Sequence, residues 1–146
     1  MKFSTKSRYG TRAMIDIAQY SNSCATMLKD IAQRMDVSPK YLDHILSSLR
    51  KAGLIINTRG KGGGYFMNRA PAQITVKDIV NAVEGEICPV ECVNNLSACT
   101  KIPLCPTHDT WVAVKIAIES VLSETTVQDL IEKQHRKSSS QHTYSI

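Results

Sequence analysis

The chain has 146 residues, of which 42% are hydrophobic, and its formal net charge is +5. This length suits one modest domain with an appendage, and no apolar run reaches the 18 or so residues that a membrane-spanning helix needs. The N-terminal segment Met1–Arg8 lacks the apolar core of a secretory signal, so we expect a cytoplasmic protein without membrane association.

Hydrophobic periodicity predicts two helices at the start of the chain. Residues 7–19 have their apolar side chains on one helical face, and residues 26–35 follow as a shorter helix with Thr26 available as its N-cap. Cys24 lies between the two helices, where we expect it to be a small, buried hydrophobic residue.

A third helix and a β-hairpin follow. Ser38 and Pro39 supply an N-cap and a first-turn proline for a helix over residues 39–51. Residues 54–58 and 65–67 are short strand-forming segments on either side of a glycine-rich turn, a pattern typical of a β-hairpin.

The order of these elements is that of a winged helix–turn–helix, which predicts that residues 1–70 bind DNA. The third helix would lie in the major groove, and the hairpin tip would be the wing, from which Arg59 can enter a minor groove. A nucleotide-binding loop is the weaker interpretation of the tip, because the spacing of a phosphate-binding P-loop is absent. Together with the basic N-terminal segment, the predicted DNA contacts are Lys6, Arg8, Ser38, Lys40, Tyr41, Asp43, Arg59, Lys61 and Gly62.

Two parts of this prediction have a simpler alternative. The basic residues could belong to an ordinary solvated surface. The phosphate backbone repels Asp43, although its carboxylate can accept a hydrogen bond from the amino group of a cytosine. Asp43 could equally be a residue that interacts with the helix dipole in the first turn.

Residues 71–135 are predicted to contain two main helices joined by a long loop. The first helix covers residues 75–84, and residues 86–107 hold prolines and cysteines without helical periodicity. A loop of this length indicates a functional role. The second helix covers residues 108–123 and has an apolar stripe. We expect this stripe to be a dimer interface, with packing inside one subunit as the alternative; its residues are Trp111, Val114, Ile118 and Val121.

The C-terminal end of the chain is polar. A last short helix is expected to end near residue 134, with Thr125 and Gln128 as a capping box. The tail, residues 136–146, is expected to be disordered.

Four of the five cysteines lie between residues 88 and 105. In a cytosolic protein such a cluster favours metal binding over disulfide formation. Thiolates and imidazole bind both zinc and iron–sulfur clusters. The wide C-x6-C-x5-C-x2-H spacing favours a cluster over zinc, and redox-active or inert thiols are a third interpretation. The candidate metal ligands are Cys92, Cys99, Cys105 and His108, although His108 could instead hydrogen-bond nearby backbone.

Several segments carry a family resemblance: Ser7-Arg8-Tyr9, Ser38-Pro39-Lys40-Tyr41-Leu42, Leu49-Arg50-Lys51-Ala52-Gly53-Leu54, Arg59-Gly60-Lys61-Gly62-Gly63-Gly64-Tyr65, and the cysteine segment with Cys105-Pro106-Thr107-His108 and Trp111. Over residues 1–134 the chain resembles the family of IscR, the iron–sulfur cluster assembly regulator, and of its nitric-oxide- and iron-sensing relatives NsrR and RirA. The resemblance implies a winged-helix homodimer, joined by the long helix after the cysteine loop, that holds its metal with three cysteines. Two-fold pairing of the DNA-binding units predicts a palindromic operator.

The cluster type also follows from the resemblance. A histidine just after the third cysteine is similar to IscR itself, whose 2Fe–2S cluster has one histidine ligand, and His108 fills that position. Relatives with a 4Fe–4S cluster take a ligand from an acidic residue near the N-terminus, where this chain has Lys6-Ser7-Arg8. The first cysteine gap is one residue longer than in IscR, Cys88 has no counterpart there, and Asp43 stands where IscR has glutamate.

We therefore predict a mainly helical (α+β) winged helix–turn–helix protein with a small hairpin wing and a C-terminal dimerisation helix. We expect a DNA-binding transcription regulator, a repressor, that senses iron–sulfur cluster status through a 2Fe–2S cluster and controls iron–sulfur biogenesis genes. The alternatives are a regulator of the same fold that senses nitric oxide or iron, and a winged-helix protein with a structural zinc site. No catalytic constellation is recognisable, so we expect neither an enzyme nor a small-molecule substrate.

Overall fold

The computed structural model describes the backbone of residues 2–143 and the side chains of residues 2–141. Its helices and strands are α1 (Thr5–Tyr20), α2 (Leu28–Met35), α3 (Pro39–Lys51), β1 (Ile55–Thr58), β2 (Gly64–Met67), α4 (Val76–Glu84), α5 (Glu91–Asn94), α6 (His108–Glu124) and α7 (Val127–Thr143). The predicted class, mainly helical with one hairpin, is confirmed. Among the described residues, none of the helices combines the length and the hydrophobicity that a membrane-spanning segment requires.

One hydrophobic core joins the first half of the chain to the second. Its fully buried side chains come from α1, α2, α3, β1 and Leu54 just before β1, and also from Ile74, Ile79 and Val127 in the second half of the chain. Each such aliphatic side chain contributes about 1.5–3 kcal/mol on burial. The predicted division at residue 70 therefore lies inside one core, and it stays a prediction about function.

Local signals determine where α3 begins and ends, and its predicted bounds are confirmed. The Ser38 hydroxyl accepts from the Tyr41 amide (3.2 Å), and Pro39 opens the helix. Gly53 ends it with a φ of +73°, a conformation that glycine adopts without the steric cost of a Cβ atom. The amphipathic sequence then buries Leu42 and Ile45 and leaves the other face of α3 exposed.

The hairpin is antiparallel, with Ile55 opposite Met67 and Thr58 opposite Gly64. Its turn is tight at Gly63, where a Cβ atom would lie 2.5 Å from the Thr58 carbonyl oxygen. Strand β2 is also tied to the segment before α2, because Thr26 and Tyr65 exchange both backbone hydrogen bonds (3.1 and 2.8 Å).

That pairing corrects two predictions for the segment between α1 and α2. Thr26 is extended by its bridge to Tyr65 and does not cap α2, which begins at Leu28 after Met27, a residue without a capping side chain. Cys24, predicted to be buried, is exposed, because the turn that leads to the bridge lies on the surface.

A single guanidinium joins α1, α2 and the Thr26 segment. Arg34 donates two hydrogen bonds of 2.7 Å to the Asp16 carboxylate and one of 2.8 Å to the Thr26 hydroxyl. It also lies 4.1 Å from the centre of the Tyr20 ring. Asp16 is buried, so this ion pair satisfies a carboxylate that has left water.

Tertiary contacts also change the C-terminal predictions. Thr125 accepts a backbone hydrogen bond from Val76 (2.9 Å), and this pairing moves the capping box one residue on, from the predicted Thr125 and Gln128 to Thr126 and Asp129. Helix α7 continues to Thr143, although residues 136–146 were predicted to be disordered. Its serine hydroxyls donate to carbonyl groups four residues earlier, which accommodates them in a helix. Residues 144–146 of the predicted tail lie outside the described residues.

We predict that Arg34→Met lowers the free energy of unfolding by about 1.5–3 kcal/mol, because it leaves the buried Asp16 carboxylate without its charged hydrogen-bond donor. Urea denaturation followed by circular dichroism measures the change. Arg59→Met, which removes the same charge from the exposed wing, is the control and should stay within about 0.5 kcal/mol of the unsubstituted protein. Equal stability of the two variants would contradict the structural role of Arg34.

Candidate DNA-binding surface and cysteine loop

The polar face of α3 is free to meet another molecule. Ser38, Lys40, Asp43 and His44 are exposed, whereas the opposite face of the helix is buried in the core. Asp43 lies beyond the first turn of α3, a helix described in full and without an acidic residue in that turn. The helix-dipole alternative for Asp43 is therefore wrong.

Asp43 lies close enough to strand β2 for its charge to affect the pKa of Tyr65. Burial and the negative charge of Asp43 raise the pKa of the Tyr65 hydroxyl on β2, and Arg50 lowers it. Arg50 also donates a hydrogen bond of 3.3 Å to Asn57 on β1. Arg50 and Asn57 therefore help to orient the wing relative to α3, a role that no sequence pattern indicated.

The predicted wing residues are all exposed at the hairpin tip: Arg59, Lys61 and Gly62. Lys6 and Arg8 are exposed on the first turns of α1. Tyr41 is half-buried, and its hydroxyl lies 3.0 Å from the Thr5 hydroxyl of α1. The structure thus presents every predicted DNA contact except Tyr41 on open surface, and it gives Tyr41 a partner in α1.

The last residue of α4, Glu84, was not singled out from the sequence. Its carboxylate accepts hydrogen bonds from Ser4 and Ser7 at the start of α1. Burial raises the pKa of Glu84, but these hydrogen bonds outweigh burial and hold the pKa below its ordinary value. A glutamate before a helix-ending glycine has no distinctive spacing, so only the tertiary structure identifies it.

The cysteine segment is more regular than the predicted loop. Cys92 lies in the short helix α5, and 3-10 turns cover Leu96–Ala98 and Ile102–Leu104. The segment is fastened to α6 by Lys115, whose ammonium group donates to the Asn94 side chain (2.7 Å). The sequence analysis did not predict these turns, because three or four residues are too few to show a helical repeat of apolar side chains.

Cys92, Cys99 and Cys105 lie on this segment and His108 is the first residue of α6, but the four predicted metal ligands are not gathered around one point. Within residues 2–141, no group of three or more His, Cys, Asp or Glu side chains is placed to hold a metal ion. The His108 ring lies 3.3 Å from the carbonyl oxygen of Cys92, which is the backbone contact considered as its alternative role. Cys99 is exposed, and Cys92 and Cys105 are half-exposed.

The chemistry of these donors nevertheless suits a thiophilic metal centre. Hydrogen bonds from the Thr107 hydroxyl and backbone lower the pKa of Cys105 and so favour the thiolate, the form that binds metal. Cys88, which has no predicted role, donates to the Val90 carbonyl (3.2 Å) and is exposed. These side chains are of the type that binds an iron–sulfur cluster or a zinc ion. In the present arrangement they are not placed to bind one metal centre together.

Helix α6 leaves apolar side chains uncovered. None of its residues, all within the described chain, is buried; Trp111, Ile116 and Val121 are 40%, 61% and 64% exposed. Ile118 and Val114 are half-buried, and Ile116 was missed because it lies off the predicted stripe. An apolar groove of about 390 Å³ lies beside α6 and is lined in part by Phe3, Val76, Val80 and Leu122.

The chain is similar to several known bacterial proteins over nearly its whole length. It is 40% identical to the protein rrf2 of Nitratidesulfovibrio vulgaris, covering 90% of this chain and 87% of the relative. The structure of CymR, the global cysteine regulator of Bacillus subtilis, superposes with a TM-score of 0.76 at 38% identity and covers 91% of this chain and 98% of CymR. The structure of T. potens IscR superposes with a TM-score of 0.75 at 36% identity and covers 92% of this chain and 88% of IscR.

The fold matches those regulators, including the hairpin wing, and the relatives are transcription regulators and not enzymes. The model of the Rrf2 family, described as iron-dependent transcriptional regulators, matches residues 3–133. The chain therefore belongs to the Rrf2 family of DNA-binding transcription regulators.

Proposed function

We propose that this regulator is a repressor that senses iron–sulfur cluster status and controls iron–sulfur biogenesis genes. The observation that carries the proposal is the position of the cysteine segment. It holds four thiols that are at least partly exposed, three of which are the proposed ligands Cys92, Cys99 and Cys105. It joins α4, whose last residue accepts hydrogen bonds from the start of α1, to α6, the candidate dimer helix, which begins with His108. The IscR relatives support the same interpretation.

A 2Fe–2S cluster is the proposed cofactor, with Cys92, Cys99, Cys105 and His108 as its ligands. When bound, it would supply a redox- and iron-sensitive group that is lost or gained with the state of the cell. The role of the chain is to hold that group and to change shape with it. Because the ligands are dispersed in the present arrangement, binding would draw the segment together, and residues 86–107 would become better ordered.

The same fold also serves regulators with a different signal. CymR, described as a global cysteine regulator, is as similar to this chain as IscR is. A colourless protein that contains zinc would indicate a structural zinc site. A protein with a 4Fe–4S cluster would indicate a sensor of nitric oxide or iron.

We propose that residues 1–70 contact DNA through the start of α1, the exposed face of α3 and the wing. In this arrangement α3 lies in the major groove, while Arg59, Lys61 and Gly62 follow the backbone or the minor groove. Asp43, exposed and close to the wing strand, is proposed to accept from a cytosine. Residues 71–135 form the proposed regulatory and dimerising part.

Arg59→Ala should weaken operator binding and reduce the slope of log K against log salt by about 0.9, the value for one lost phosphate contact. Fluorescence anisotropy across a salt series measures both quantities. Arg136→Ala, which removes the same charge from α7, is the control. An Arg59 variant that behaves like this control would show that the wing assignment is wrong.

We propose that the exposed apolar residues of α6 form the interface of a homodimer, which would bind a palindromic operator. Val121→Glu tests this interface best, because Val121 is 64% exposed and its loss costs little packing within the subunit. We expect sedimentation velocity to show a dimer for the unsubstituted protein and a monomer for Val121→Glu. Ser123→Glu adds the same charge at an exposed polar position of α6 and should remain dimeric. A monomeric unsubstituted protein at micromolar concentration would contradict the proposed interface.

Cys92→Ala, Cys99→Ala and Cys105→Ala should each abolish the visible absorption of anaerobically purified protein, because each removes a proposed ligand. His108→Ala should leave an altered spectrum. Cys88→Ala and Cys24→Ala are matched controls and should leave the spectrum nearly unchanged. Loss of colour in the Cys88 variant with its retention in the Cys92 variant would overturn the ligand assignment.

A further inference from the structure

The first turn of α1 is held by the last residue of α4. Oxygen Oε1 of Glu84 accepts hydrogen bonds from the Ser4 amide (2.8 Å), the Ser4 hydroxyl (2.9 Å) and the Ser7 hydroxyl. Ser7 is buried, so part of this contact is sheltered from water. Ser4 is also the N-cap of α1, and its side chain accepts from the Lys6 amide. One carboxylate oxygen therefore fixes the residue that starts the helix.

The same end of α1 is joined to the first turn of α3. The Thr5 and Tyr41 hydroxyls lie 3.0 Å apart, and the rings of Tyr9 and Tyr41 pack edge to face with centroids 5.8 Å apart. Lys6 and Arg8 are exposed on this part of α1. A contact that holds the start of α1 in place therefore also positions Lys6, Arg8 and the first turn of α3.

We propose that Glu84 is a positioning residue for DNA binding, which holds the first turn of α1 and, through Thr5 and Tyr41, the start of α3, and which links this surface to the cysteine segment. The link rests on the proposed function. Gly85 alone separates Glu84 from residues 86–107, and its φ of +90° marks the end of α4. A rearrangement of the cysteine segment would therefore move Glu84, which accepts hydrogen bonds from the start of α1.

The direction in which DNA affinity changes when the Glu84 charge is removed distinguishes a positioning role from a general electrostatic effect. A carboxylate near bound DNA repels phosphate, so its removal by itself tightens binding. Loss of a positioning contact weakens binding, because the basic residues and α3 are then less well oriented when DNA arrives. The two explanations predict opposite signs for the same substitution.

The test compares Glu84→Ala with Glu84→Gln and with the control Asp78→Ala. Asp78 closes the capping box at the other end of α4, so Asp78→Ala removes the same charge and a helix-end contact without touching α1. Affinity is measured by fluorescence anisotropy for a duplex that the unsubstituted protein selects from random DNA. Each protein is measured cluster-free and, anaerobically, after cluster loading, and circular dichroism verifies that it is folded.

We expect cluster-free Glu84→Ala to bind about three- to tenfold more weakly than the unsubstituted protein, the equivalent of a lost hydrogen bond. Glu84→Gln should retain most of the affinity, because its amide oxygen still accepts from Ser4. Asp78→Ala should bind equally or more tightly. The ratio of loaded to cluster-free affinity should move towards one in Glu84→Ala and stay unchanged in Asp78→Ala.

Cluster-free Glu84→Ala that binds as tightly as the unsubstituted protein, or no more weakly than Asp78→Ala, would overturn the positioning role. A full loaded-to-free ratio in Glu84→Ala would overturn the link to the cysteine segment. If the unsubstituted protein has equal affinities in both states, the proposed sensing function fails instead, and the cluster-free comparison alone decides the role of Glu84.

Discussion

The proposed DNA-binding surface depends on the close packing of α1 against α3 and α4. Gly10 is buried at this junction, where a Cβ atom would already touch side chains of both neighbours: Val83 (3.4 Å), Ile79 (3.5 Å) and Ile45 (3.7 Å). An alanine would make ordinary contacts here, but a side chain that extends beyond Cβ would push the three helices apart. Because protein interiors are packed as densely as organic crystals, a displacement of α4 is passed to α1 and α3 and is not absorbed between them.

Through this junction the two halves of the chain share one hydrophobic core. The buried residues Ile74, Ile79 and Val127 place the later elements in the same core as α1 and α3. The cysteine segment, residues 86–107, by contrast contributes no residue to that core cluster. His108 and Lys115 of α6 contact it at Cys92 and Asn94. A segment with few buried contacts can change conformation at low cost, whereas the core around it cannot.

Sequence patterns predicted the elements whose limits are set locally. The bounds of α3 follow from Ser38, Pro39 and Gly53, and the hairpin follows from its glycines. The predicted N-caps of α2 and α7 were wrong because backbone pairing with residues far away in the sequence sets where these helices begin. Thr26 pairs with β2 and does not cap α2, and the bridge between Thr75 and Thr126 shifts the start of α7. The candidate site divides in the same way, because exposure of the wing and of α3 could be predicted, whereas the grip of Glu84 on α1 joins residues with no shared pattern.

Amide hydrogen exchange, measured on cluster-free and cluster-loaded protein, tests the coupling between the cysteine segment and the DNA-binding surface most directly. Coupling through α4 predicts slower exchange in residues 86–107 after loading, together with changed exchange at the start of α1 and in the first turns of α3. A change confined to residues 86–107, with α1 and α3 unaltered, would contradict the coupling and leave the cysteine segment as an independent metal-binding element.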